Sequence, residues 1–144
     1  MFHKRKYNPI HPEKYSGDPT NIVMRSSWET KFAIWCDHNP SILKWSSEET
    51  VIPYRCPVRN NLHRYFVDFK IKTRTKDGKI VTYLVEIKPS KQTIPPEFKG
   101  RRTKRFLEES RTFVINQAKW KAAERWAADR DYKFIVLTEK ELGI

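Results

Sequence analysis

The chain has 144 residues, a formal charge of +12, and five Trp, eight Phe and six Tyr. That length supports one domain with a real hydrophobic core and is too short for two. The charge and a pI of about 9.8 favour a polyanionic partner, most simply nucleic acid, over docking on an acidic protein surface. No apolar run approaches the roughly 20 residues that span a bilayer, and residues 1–9 are basic and polar rather than a secretory leader.

Residues 1–25 carry Lys4, Arg5, Lys6, Pro9, Pro12, Gly17 and Pro19. This predicts an extended basic arm, lying on nucleic acid or on a partner, ahead of a folded domain over 26–144. A helix follows over about 27–37, with Trp28, Phe32, Trp35 and Cys36 on its buried face. Residues 41–45 and 51–54 are short strand candidates. Cys36 and Cys56 make no disulfide framework and read as buried thiols of a reducing compartment. His3, His11, His38 and His63 have no ligand spacing with them, which argues against zinc.

Residues 63–73 alternate, with Val67, Phe69, Ile71 and Thr73 on one face and Phe66, Asp68, Lys70 and Lys72 on the other. Residues 80–88 alternate as well: Val81, Tyr83, Val85 and Ile87 oppose Thr82, Leu84, Glu86 and Lys88. Both read as strands with one buried face. Two turns can join them. A two-residue Asp77-Gly78 loop pairs Asp68 with Ile87, setting polar against apolar faces. A loop of Lys76, Asp77 and Gly78, with Gly78 left-handed in a G1 bulge, pairs Asp68 with Glu86, Val67 with Ile87, Phe69 with Val85 and Ile71 with Tyr83. A one-residue slip reverses every side chain, so the hydrophobic pattern selects the longer loop.

In that register the Asp68 and Glu86 Cα atoms lie roughly 4.5–5.5 Å apart. Two carboxylates so placed repel unless a cation sits between them, as a hard, oxygen-preferring ion such as Mg²⁺ does. Lys88 projects from the same face as Glu86, where it positions or deprotonates a water or offsets phosphate charge. The pattern points to a metal-dependent nuclease; the competing account is a solvated strand edge kept soluble by charge.

After Lys88 the chain carries Pro89, Lys91, Pro95, Pro96, Lys99, Arg101, Arg102, Lys104 and Arg105. This predicts a long loop into a helix that starts between Thr103 and Thr112 and reaches about Asp129, with Ile115, Ala118, Ala122 and Trp126 on one face. The cations Lys91, Lys99, Arg101, Arg102, Lys104 and Arg105 form a candidate DNA backbone clamp, sequence-tolerant and salt-sensitive, with a solvated linker as the alternative. Residues 132–137 are a nearly continuous apolar run that fits a strand covered on both sides. Thr138 with Glu141 resembles a capping box. Trp28, Trp35, Trp120 and Trp126 have core spacing, and Trp45 is open between core and stacking roles. The order predicts a mixed α/β domain, a central sheet flanked by helices.

A helix with a Glu, an Asp on the second core strand, Glu-x-Lys on the third and a following helix resemble the PD-(D/E)xK nuclease superfamily, which implies a restriction-endonuclease-like αβββαβ core and divalent-metal cleavage of nucleic acid. A closer resemblance covers nearly the whole chain. It rests on Arg25-Ser-Ser-Trp-Glu29, Trp45-Ser-Ser-Glu-Glu49, Ile52-Pro-Tyr54, His63-Arg-Tyr-Phe-Val-Asp68, Glu86-Ile-Lys-Pro89 and Asn116-Gln-Ala-Lys-Trp-Lys-Ala-Ala-Glu124. These blocks are similar to the head completion nucleases of large contractile-tailed phages, and transposon-end endonucleases of the TnsA type are more distantly similar.

That family implies a virion-associated endonuclease processing packaged DNA ends before tail attachment. It implies Mg²⁺, with Mn²⁺ as a substitute; double-stranded or branched DNA; head-neck or portal proteins as partners; and no membrane. The expected location is the virion head-neck region, and the host cytoplasm during assembly. Val67 departs from the Pro that often precedes the superfamily's Asp, a position that is not a ligand. Glu29 corresponds to the helix Glu that joins the metal carboxylates, or else closes a capping box with Ser26. Ile87 offers its backbone carbonyl as a further metal ligand. Gln117 and Lys121, one turn apart, match the post-motif Gln position, with surface solvation the alternative for Lys121. The rival functions are a non-catalytic DNA-binding head-neck protein on a nuclease fold, and a junction or transposon-end nuclease of the same superfamily.

Overall fold

The computed structural model describes residues 4–143; residues 1–3 of the expected arm lie outside it. The elements run β1 (Arg5–Tyr7), β2 (Ile22–Met24), α1 (Ser27–His38), β3 (Ile42–Ser47), β4 (Val51–Cys56), β5 (Asn61–Phe66), β6 (Phe69–Arg74), β7 (Ile80–Ile87), α2 (Lys104–Asp129), β8 (Lys133–Leu137) and α3 (Glu139–Leu142). The central sheet has the order β3-β6-β7-β8, antiparallel except for the parallel β7–β8 pair that α2 connects. With α1 ahead of it, this is the αβββαβ order; β4 and β5 form a separate two-stranded ribbon inserted between the first two core strands.

The turn between β6 and β7 follows the hydrophobic pattern. The Gly78 N–H donates to the Thr75 carbonyl at 2.9 Å and the Thr75 N–H to the Lys79 carbonyl at 2.8 Å, with Gly78 left-handed at φ 82°. Phe69 pairs with Val85 and Ile71 with Tyr83, as that loop requires. The ladder ends at the Phe69–Val85 pair, so the expected Asp68–Glu86 and Val67–Ile87 pairs do not form. Residues 63–73 are not one strand, because the chain changes sheets at Val67 and Asp68: the Val67 N–H donates to Thr50 and the Glu48 N–H to Asp68.

The break sends neighbouring apolar residues to opposite sides. Phe69 and Ile71 join Trp45, Val85, Ile87 and Phe32 in the core beneath α1. Val67 joins Tyr65, Leu84, Trp120 and Ala123 in the core beneath α2. Because helices cover both faces, Leu84, Val85, Glu86 and Ile87 are all buried, which corrects the expectation of one buried face. In α1 the buried set is Phe32, Ala33, Cys36 and Asp37. That stripe leaves Trp35 at its margin, 48% exposed and stacked on Phe32.

Residues 4–25 do not form a free arm. Strand β1 pairs with β2, and Tyr15, Ile22 and Met24 are buried. The fully buried Asp37 accepts hydrogen bonds from the Tyr7 hydroxyl (2.6 Å) and from the Ile10 and His11 N–H groups (2.7 and 2.9 Å). Lys14 Nζ caps the end of α1, donating to the Cys36, Asp37 and Asn39 carbonyls at 2.8–2.9 Å, where the helix dipole favours a cation. Trp45 lies in the core between Tyr7, Tyr15 and Phe69. At the far end, Thr138 and Glu141 form the expected capping box.

Candidate active site

The strand break that corrects the fold also builds the site. Asp68 sits in the gap between β5 and β6, and its Oδ2 accepts the Ile87 N–H of β7 at 2.9 Å. One residue earlier on β7, Glu86 is 4% exposed; its Oε1 accepts the Tyr65 hydroxyl at 2.6 Å. Lys88 Nζ stands 3.6 Å from Glu86 Oε2. At the start of α1, Ser26 takes the N-cap role, accepting the Glu29 N–H at 3.2 Å. The Glu29 carboxylate is only loosely engaged: Oε2 lies 3.4 Å from Ser26 Oγ, and Oε1 is buried without a hydrogen-bond partner. The capping-box account of Glu29 therefore leaves its carboxylate largely unused. Ser26, Trp28, Glu29, Asp68, Ile87 and Lys88 line one cleft of about 300 Å³, with Gln92 at its edge.

Crowded carboxylates set the electrostatics. Burial pushes the Asp68 carboxyl well above its ordinary range and the neighbouring Glu86 and Glu29 add to this, while the Ile87 N–H and Lys88 oppose it. Burial likewise raises Glu29. Burial and then the Glu86 charge push the Tyr65 phenol up, keeping it a neutral donor to that carboxylate. Among the described residues no three acidic, imidazole or thiol side chains stand together so as to hold a metal ion by themselves. An open set of carboxylates with an orphaned buried oxygen nonetheless suits a hard cation such as Mg²⁺, which uses one or two protein carboxylates and leaves the remaining positions to water and phosphate.

The family description "TnsA-like endonuclease N terminal" matches residues 39–139. The chain belongs to the TnsA-like endonuclease family. It is also 42% identical, over 146 aligned residues, to the head completion nuclease of Enterobacteria phage T4, an alignment covering 99% of this chain and 95% of that protein. The match to the TnsA-like family spans the β3-to-β8 core, including Asp68, Glu86 and Lys88, and leaves Glu29 ahead of it.

Within this TnsA-like core, Gln117 and Lys121 do not join the carboxylate cleft. Both are exposed and line a separate depression with Pro57, Phe134 and Val136. Successive helical residues are turned by about 100°, and the α2 residue that faces the Gln92 side is Asn116. It is 4% exposed with Nδ2 unpartnered. Sequence reasoning missed Asn116, Gln92 and Tyr65. Only Tyr65 carried a signal, since a buried phenol needs a hydrogen-bond partner.

Of the six basic residues Lys91 adjoins Gln92 and, with Lys99, Arg101 and Arg105, lines the hollows next to the cleft. Lys91, Lys99, Arg101, Arg102, Lys104 and Arg105 are all exposed. Lys104 and Arg105 belong to α2 rather than to the loop, because Thr103 caps the helix by accepting the Phe106 N–H at 3.0 Å. Arg105 is paired with Glu109 at 2.8 Å.

Proposed function

We propose that this TnsA-like family member is a metal-dependent DNA endonuclease that hydrolyses phosphodiester bonds, processing packaged phage DNA ends during head completion before tail attachment. The observation that carries the reading is that Asp68, Glu29 and Lys88 line one cleft with the buried Glu86 behind them beside Lys88, so that burial and then the Glu86 charge hold the Asp68 carboxyl well above its ordinary range. Asp68, Glu86 and Glu29, with the Ile87 carbonyl, would hold Mg²⁺ or Mn²⁺. The bound cation supplies Lewis-acid polarisation of the phosphate and a lowered pKa for the attacking water.

The chain's own groups do the rest. The Ile87 N–H and the Tyr65 hydroxyl fix Asp68 and Glu86, so little reorganisation is left for the reaction. Lys88, beside Glu86, aligns the attacking water or offsets charge developing on the phosphate. The six basic residues neutralise backbone phosphates without reading sequence. The similarity to the T4 head completion nuclease supports the phage-assembly role, with head-neck or portal proteins as partners. Incubating the protein with linear DNA and Mg²⁺ or Mn²⁺ tests the reading: cleavage is expected from the native chain and absent in Asp68→Asn. A second reading, transposon-end or junction cutting, is favoured by the TnsA-like match. A strong preference for branched over linear substrates would support it.

A further inference from the structure

We propose that the groove beside the cleft takes an unpaired DNA strand, with its bases stacked on Phe98 and its phosphates on Lys91, Lys99 and Arg101. The proposal rests on the nuclease reading and specifies its substrate as DNA with a single-stranded tail or melted end.

The groove consists of two adjoining hollows of about 410 and 490 Å³ that share Lys91, Ile94, Pro96, Arg105 and Glu109. The first also shares Gln92 with the carboxylate cleft, so a strand lying in the groove leads to the reacting groups. Its surroundings are not those of a uniformly basic clamp. Phe106 lines the groove, and Phe98 meets it edge to face at 5.4 Å. Phe98 does not line either hollow itself but stands at the border, between the lining residues Glu97 and Lys99, and is 56% exposed, with Ile94 61% exposed.

A B-form duplex offers phosphates and sugars to such a surface and keeps its base faces stacked inside, leaving an exposed phenyl ring nothing to stack on. An unpaired strand offers both a charged backbone and open π-faces, and aromatic residues set among cations are the usual platform for it. Two further observations agree. Asn116, buried at the inner end of the groove, has an Nδ2 with no partner, a donor suited to an exposed base edge. The first turn of α2 has no acidic residue, so the positive end of the helix adds to Lys104 rather than being neutralised. Glu97, Glu108 and Glu109 also line the groove; Arg105 pairs Glu109, and Lys91, Lys99 and Arg101 offset the other two.

The test is fluorescence anisotropy with the full chain in EDTA, using a blunt duplex, the same duplex with a single-stranded tail, and the free single strand. Tailed and single-stranded DNA should bind more tightly than the blunt duplex. Phe98→Ala should weaken both by about five- to a hundred-fold while changing the blunt duplex by less than about twofold, and Phe98→Trp should restore binding. An unchanged affinity for tailed DNA in Phe98→Ala, or an equal loss on all three, would overturn the proposal and assign the apolar patch to a protein partner. Because binding is read without metal, failure of metal-dependent cleavage would count against the nuclease reading alone.

Discussion

A phenol holds the most deeply buried of the site's carboxylates. The Tyr65 hydroxyl donates to Glu86 Oε1, so Tyr65→Phe frees a carboxylate that water cannot easily reach. Removing such an orienting partner costs about 10- to 100-fold in metal affinity or activity. The Mg²⁺ concentration for half-maximal cleavage should therefore rise by about that factor, with the circular dichroism spectrum unchanged. Lys88→Ala should act differently, lowering the cleavage rate by about 100-fold or more while DNA affinity in EDTA stays within about twofold. Glu86 was legible because strict alternation and a Gly in the turn specify its place on β7; Asp68 and Lys88 stand just outside the paired strands, and Asp68 reaches the site by accepting the Ile87 N–H rather than by pairing opposite Glu86. Tyr65 was not legible, because its partner lies on another strand 21 residues away. The choice between Asn116 and Gln117 depends on the rotational phase of α2, which a repeating apolar pattern resolves only to within about a residue.

The element that the sequence conceals is the N-terminal segment. Its Pro, Gly and Lys read as an irregular arm, yet they conceal the β1–β2 pair and the buried Asp37 that receives the segment. Asp37→Asn weakens hydrogen bonds to a buried charge and should destabilise the fold by about 1.5–3 kcal/mol at neutral pH in urea unfolding. Burial works to raise the Asp37 carboxyl, but hydrogen bonds from Tyr7, Ile10 and His11 outweigh it and hold the group below its ordinary range. An Asp in the unfolded chain titrates near about 3.9. The native contribution is thus complete above that value and is lost as pH falls through the lower folded value. The gap between native protein and Asp37→Asn should narrow as unfolding is measured from pH 6 towards pH 3; a gap that widens contradicts the assignment. The same blindness explains the strand over 63–73. Its alternation is continuous, but a period of two cannot reveal that β5 and β6 pair with different partners.

At the scale of the whole molecule, composition and charge identified the class of partner, and the order of elements identified the αβββαβ core. They could not show that the basic residues lie among exposed aromatics, because loop side chains have no period to read. Replacing Lys99, Arg101 and Arg102 together by Ala should lower affinity for every DNA sequence. It should also reduce the slope of log affinity against log salt by about 2 to 3, as expected for three phosphate contacts. Whether the crowded carboxylates form a metal-dependent cutting site is decided by cleavage of linear and tailed DNA by native protein, Asp68→Asn and Glu86→Gln, each with Mg²⁺ and with EDTA. Cutting is expected from the native chain with Mg²⁺ only, and from neither variant at equal DNA binding. Cutting that persists in EDTA, or undiminished in either variant, would contradict that role.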